Sequence, residues 1–480
     1  MEKATYLQSN MADKYQFKKC SYVFRGNFVH STSENALEIL PDKILGISPS
    51  GKILFIENGE SNQNLLEMQY GFTSKDVIFL KPRQFIMPGL IDTHIHAPQY
   101  SFTGTGYDCH VVDWLNKYTF PTEARFEDTN LALDVYKKLV RRLLMNGTTT
   151  ASYFATIHLN ATMVLCDVIV ELGQRAYVGI SDVDCSPHEH SKTTECCAEE
   201  TERFIKHVID MNHPLVTPVL TARGVAHCTK SLLTIHGELA KKYNVPIQGH
   251  LREIKDELAS WNFASEFSQT SDLAKILEEC ELLTDKAYYA HCIYVTEEEI
   301  DLMLLRSTGV AHCPISNFDL KSGVADIRHL LDRQLKVGLG TDVSGGHSPS
   351  MLDVIRQCIT ASNVVAFSKP ESYRSLSYKD AFRLATLGGS EVLGLSDKIG
   401  NFEVGKEFDA LLIDPDAEDS PFDCFDNDTL EDVIQKFLML GDDRNILQVY
   451  VAGRPVAGRT LVSSYFSSKR KQGLDIEFTS

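Results

Sequence analysis

The stretch Pro88-Gly89-Leu90-Ile91-Asp92-Thr93-His94-Ile95-His96 decides how this chain is read. An apolar run leads into two histidines spaced i, i+2, and in a β-strand those side chains point to the same face. Both imidazoles can then meet one metal ion at the end of a buried strand. Three more short apolar segments end on a potential ligand, acid or base: Ile247-Gln248-Gly249-His250, Tyr288-Tyr289-Ala290-His291 and Val337-Gly338-Leu339-Gly340-Thr341-Asp342. One histidine at a strand end is commonly a hydrogen-bonded core residue. Three such ends together with His-x-His point to a metal site, because clustered His and Asp mark places of chemistry.

From about residue 85 the chain alternates apolar runs with amphipathic stretches. The runs end at His96, at Phe154, at Ile180, at Leu220, and then at segments carrying His250, His291, His312 and Asp342. Between them, Leu131, Val135, Leu139 and Leu143 recur at helical spacing, and Thr296 with Glu299 makes a capping box before Ile300, Met303 and Leu304, with Gly309 as the expected stop. Strand–helix units in this number predict an α/β fold, a parallel (β/α)8 TIM-like barrel with its chemistry at the C-terminal strand ends. His312 is read as structural. The flanks differ. Residues 17–82 and the chain after about 395 read as short strands and turns, such as Lys43-Ile44-Leu45-Gly46-Ile47 and Val449-Tyr450-Val451-Ala452-Gly453-Arg454-Pro455-Val456. The expected organisation is a barrel over 85–394, with 1–84 and 395–480 supplying the two parts of a small β-sandwich and a tail.

Composition excludes several function classes. With 47 Lys and Arg against 65 Asp and Glu, the net charge is −18, which disfavours nucleic acid and anionic membrane surfaces. Lys469-Arg470-Lys471 is read as a solvated tail. Nothing approaches the ~20 apolar residues of a membrane span, and the first residues lack the apolar core of a signal peptide. The 12 cysteines contain no C-x-x-C pair. They read as reduced thiols of a cytosolic protein, buried at Cys166, Cys292 and Cys313 and exposed at Cys196-Cys197.

Further motifs carry a resemblance. They include Leu115-Asn116-Lys117-Tyr118-Thr119-Phe120-Pro121, Tyr153-Phe154-Ala155-Thr156-Ile157-His158, Ala311-His312-Cys313-Pro314 and Leu384-Ala385-Thr386-Leu387-Gly388-Gly389. Together with the histidine segments, the chain resembles the amidohydrolase superfamily, and within it the branch that deaminates guanine. The resemblance implies hydrolysis of guanine to xanthine and ammonia by a cytosolic homodimer. It implies one zinc ion per chain, held by His94, His96, His250 and Asp342. It gives catalytic roles to Glu253 as proton shuttle, to Asp342 as acceptor of the water proton, and to His291 beside the attacking water. Gln99, Arg223 and Gly224 become substrate-binding positions, joined by His96, His250, Glu253 and Asp342. Binuclear relatives carry a carboxylated lysine at the end of the fourth strand, where this chain reads Leu220-Thr221-Ala222-Arg223.

The chain departs from the pattern in four places: Pro98 for Ser, Gly224 for Phe, Arg252 for a small residue and Cys292 for Gly. The metal ligands are untouched. Gly224 removes an aromatic surface for a flat purine, and Arg252 is expected to bring a charge near the site. The competing readings are an amidohydrolase acting on another purine, a pterin or a triazine, and a catalytically inactive scaffold.

Overall fold

The computed structural model describes residues 20–185, 191–260, 267 and 272–459. The basic run Lys469–Lys471 lies outside them. Strands β1 (Tyr22–His30), β2 (Glu38–Ile47), β3 (Ile53–Asn58), β4 (Val77–Phe79) and β5 (Phe85–Pro88) come first. The barrel strands follow: β6 (Leu90–His96), β7 (Thr148–Phe154), β8 (Arg175–Gly179), β9 (Val216–Pro218), β10 (Leu220–Thr221), β11 (Ile247–Leu251), β12 (Ala287–His291), β13 (Gly309–His312) and β14 (Lys336–Leu339). Strands β15 (Ala410–Ile413), β16 (Ile446–Val451) and β17 (Arg454–Ala457) close the chain.

The barrel strands pair in parallel as β6-β7-β8-β9 and β10-β11-β12-β13-β14. Strands β9 and β10 are one barrel position interrupted at Val219, whose N–H donates to Val178 at 2.9 Å. On the other side, Asp342 N donates to His94 O at 2.9 Å and His96 N to Val343 O at 3.0 Å, which joins the last strand to the first. A helix follows each position, from Thr129–Met145 after β6 to Met351–Ala366 after β14. The helix at Thr129–Met145 buries Val135, Leu139 and Leu143 against the barrel, as the spacing predicts. Inside the barrel, Gln248 donates to Thr221 Oγ1 at 2.8 Å and accepts from Ser152 at 2.7 Å, and Tyr288 meets Ser152 at 2.6 Å. This buried polar layer fixes the registers on which His250 and His291 ride.

The terminal strands form one sheet in the order β17-β16-β15-β5-β1-β2-β3, with β4 beside β1. The two layers of the expected sandwich are this single sheet curled on itself. Phe24 of β1 stacks on Phe408 at 5.8 Å and meets Tyr450 of β16 edge-on at 5.8 Å. The layers come so close at Gly51 (φ 82°) that a Cβ there would lie 1.9 Å from Ala452 O, so only glycine fits.

Four sequence expectations need correction. Strand β5 pairs with β1 and β15, so the chain enters the barrel at Gly89 and the expected start at residue 85 falls inside the terminal sheet. The N-terminal flank carries a helix, Gly59–Tyr70, whose Leu66 packs in a cluster with Phe55 and Phe72. The capped helix ends at Leu305, four residues before Gly309, because Ser307 takes the left-handed turn (φ 57°). Cys197 is buried on the helix Thr194–Met211.

Candidate active site

His94 and His96 leave the C-terminal end of β6 on the inner face, as their spacing requires, and His250 and His291 stand at the ends of β11 and β12. Asp342 lies three residues past β14. The backbone is left-handed at His291 (φ 71°), Arg252 (φ 55°) and Asp342 (φ 47°), an unusual conformation for residues with side chains that recurs where a site over-determines its geometry.

These side chains converge. His94 Nε2 is 3.1 Å and His96 Nε2 3.4 Å from Asp342 Oδ1, and His291 Nε2 is 3.7 Å from Asp342 Oδ2. His96 Nε2 and His250 Nε2 face each other at 3.2 Å. Phe154, at the end of β7, packs against the rings of His94, His96 and His250 at 4.7–4.9 Å. The potential ligand atoms of His94, His96 and His250, and those of His94, His291 and Asp342, lie within 4.8 Å of one another.

The donor set fits a divalent metal. His250 Nδ1 bonds the Arg223 carbonyl, which turns its Nε2 inward to face His96 Nε2. His94 Nε2 is buried with no hydrogen-bond geometry to any protein group. Burial, and then the charge of His94, push His96 down to about 3; burial likewise lowers His94 and His250. All three imidazoles are therefore neutral donors. Burial raises Asp342, but the contact with His94 and the charge of His291, whose own pKa is raised, more than reverse this and hold it ionised. Three neutral imidazoles and one carboxylate are ligands for a borderline-soft cation.

Glu253 sits at the pocket mouth with Oε2 3.9 Å from His291 Nε2. Burial raises its pKa, partly offset by His291. His291 Nδ1 meets Asn317 Oδ1 at 2.9 Å, so its Nε2 points to Glu253 and Asp342. His312 is buried in the barrel, where burial and then His291 push its pKa down to about 3.

Gln99, Arg223 and Gly224 line the same pocket, as do Trp114, Leu115 and Leu320. Both polar members are tied to Glu123, which is fully buried. Arg223 donates to Glu123 at 2.6 and 3.2 Å, and Gln99 Nε2 donates at 3.0 Å. Sequence reasoning missed Glu123 although it follows the Lys117–Pro121 motif by two residues, because nothing local marks an acid as buried. It also missed Glu257, in the pocket with Oε2 3.1 Å from Glu253 N. The charge of Arg252 reaches Glu257 of the pocket, as expected, while its guanidinium makes bonds of 2.7–3.0 Å to the buried carboxylate of Glu299.

A parallel barrel with three histidines and an aspartate at its C-terminal mouth is the architecture of metal-dependent hydrolases of one class, and the chain belongs to it: residues 85–456 match the Amidohydrolase family. Among characterised relatives, guanine deaminase of Mus musculus is 47% identical over 440 residues, covering 90% of this chain and 96% of the relative. Guanine deaminase of Homo sapiens is 45% identical over 447 residues, covering 92% and 98%. The crystal structure of guanine deaminase from C. acetobutylicum with bound guanine in the active site superposes with a TM-score of 0.83 at 32% identity, over 91% of this chain and 100% of that one.

Proposed function

We propose that this chain hydrolyses guanine to xanthine and ammonia. The observation that carries the proposal is the coincidence of two facts. Relatives at 45–47% identity over nine-tenths of the chain are guanine deaminases, and the pocket at the barrel mouth brings Gln99, Arg223 and Glu253 beside the histidine–aspartate cluster. The same reading assigns one zinc ion per chain to His94, His96, His250 and Asp342, supported by their neutral-imidazole and carboxylate character and by the absence of a lysine at Thr221-Ala222-Arg223. It also makes the protein a cytosolic homodimer. No helix among the described residues is long and apolar enough to cross a membrane.

His94, His96, His250 and Asp342 would hold the zinc ion, which when bound would lower the pKa of a water toward ~7. The chain's own residues do the rest. Asp342, ionised at neutral pH, takes the proton of the attacking water. His291, held by Asn317, orients that water. Glu253, whose burial favours its protonated form, delivers a proton to ring nitrogen N3 as the water oxygen bonds to C2. The proton held by Asp342 then passes to the amine, which leaves as ammonia when the C2–N bond breaks, while the Glu253 carboxylate takes the proton of the new C2 hydroxyl as the carbonyl forms. Gln99 and Arg223 offer donors to the ring carbonyl.

The test follows guanine loss and xanthine appearance by ultraviolet absorbance with zinc-loaded protein. Stoichiometric xanthine is expected, and its absence at every guanine concentration overturns the proposal. Elemental analysis is expected to give one zinc per chain; two tightly bound ions overturn the mononuclear assignment.

A further inference from the structure

We propose that Glu123 is a positioning residue that sets which edge of the substrate the pocket reads, an inference that rests on the function proposed above. Two side chains able to address a purine carbonyl converge on this one carboxylate, and each is oriented by it. The Glu123–Arg223 pair is buried and bidentate, so Glu123 is an ionised acceptor with no proton to give. An acceptor there forces the NH2 end of the Gln99 amide toward Glu123. The opposite end agrees, because Ser344 N donates to Gln99 Oε1 at 3.2 Å. The amide orientation is thus defined from both ends, leaving the second N–H of Gln99 and the unused lone pair of its oxygen as its remaining capacity.

The same carboxylate clamps the guanidinium through Nη1 and Nη2, while the Phe120 ring lies 5.3 Å from Arg223 Cζ on its face. A guanidinium held along one edge and one face presents its remaining N–H groups in a fixed direction. Phe120 and Glu123 lie on one short helix, Phe120–Ala124, so a single segment fixes both readers. Glu123 does not belong to the cluster that binds the metal, and its effect is on recognition of the ring carbonyl.

The experiment compares wild type with Glu123→Gln and Glu123→Asp. Glutamine keeps the shape, removes the charge that clamps Arg223 and allows the Gln99 amide to turn over. Aspartate keeps the charge at a longer reach. For Glu123→Gln, KM for guanine is expected to rise at least tenfold while kcat falls less than threefold and zinc content is unchanged; Glu123→Asp is expected to fall between it and wild type. The affinity of 2-aminopurine, which keeps the amidine carbon and lacks the ring carbonyl, is measured as a competitor and is expected to change less than twofold. A role in folding alone would lower kcat and zinc content with KM unchanged, and that result overturns the proposal, as does an unchanged KM for guanine or an equal loss for both ligands. Should Glu123→Gln fail to fold, Glu123→Asp reads the same split. Wild type that forms no xanthine overturns the function and this inference together, whereas active wild type with insensitive variants overturns the inference alone.

Discussion

The Asp92 carboxylate takes both donors of Thr341, the backbone N–H at 3.0 Å and the hydroxyl at 2.5 Å. It also accepts from His94 N at 3.1 Å. One buried acid thereby ties the strand end that carries His94 and His96 to the loop that carries Asp342, across the seam where the barrel closes. Alanine removes all three acceptor contacts at once, whereas asparagine can keep both N–H bonds on its oxygen and donate to the Thr341 hydroxyl. Asp92→Ala is expected to weaken zinc retention ~10–100-fold, the range for residues that orient ligands, and Asp92→Asn less. Competition with a chelator checks it, and retention equal to wild type would remove Asp92 from this role.

Glu253→Gln is expected to keep the zinc and the melting temperature and to lose most turnover. Glutamine has nearly the same shape and carries no exchangeable acid proton, and general acid–base groups contribute ~10²–10⁴-fold. A variant within threefold of wild type would show that the proton moves by another route.

Arg252→Ala is expected to lower stability by ~3–5 kcal/mol while leaving KM for guanine within twofold. Glu299 is 1% exposed, and its carboxylate would remain buried without its guanidinium partner. Denaturant unfolding and steady-state kinetics on the same preparation check the pair of outcomes. A large change in KM would restore Arg252 to the pocket wall.

These three sites show what the sequence makes legible. The proposed ligands are legible because each sits at the end of a short apolar segment, and strand periodicity then dictates a common face for His94 and His96. The capping box at Thr296 and Glu299 is legible because both partners lie within one turn, and it is formed. The second task of Glu299, receiving Arg252 from 47 residues away, has no local signature. Glu123 is hidden for the same reason: it clamps Arg223 from 100 residues away. The helix Gly59–Tyr70 escapes because its first turn is polar and Leu66 is its only described buried side chain. Gly309 misleads because its missing side chain serves packing: a Cβ there would lie 3.2 Å from Val392 and 3.4 Å from Tyr288.

Glu257 gives a pH prediction. Burial, and then the charge of Glu253, push its pKa from the usual 4.5 up to about 7. An acid whose folded pKa exceeds its unfolded value binds its proton more tightly when folded, so ionisation works against folding. The loss begins as pH rises past 4.5 and is complete above about 7, where it is on the order of 3 kcal/mol. Glutamine cannot ionise and can still accept from Glu253 N. Glu257→Gln is therefore expected to melt higher than wild type at pH 8, with the gap shrinking toward pH 5. A gap independent of pH would exclude this account.

Gly224 is where the pocket departs most from an aromatic-walled one, and the backbone permits the aromatic to be restored. Its φ of 173° and ψ of 162° are extended values that any residue adopts. A Cβ placed there meets His227 Nδ1 at 3.6 Å and His250 Cβ at 3.9 Å, ordinary van der Waals distances, so the first atom of a side chain fits without moving His250. Gly224→Phe is expected to retain zinc and to lower KM for guanine roughly two- to tenfold, since an aromatic stack adds ~0.5–1.5 kcal/mol beyond area burial. Arg223 beside it keeps its clamp on Glu123, so kcat is expected to stay within threefold. Steady-state kinetics with a parallel zinc determination checks this. A raised KM with zinc intact would mean that His227, which lines the same wall, already fills the space that a phenyl ring would need.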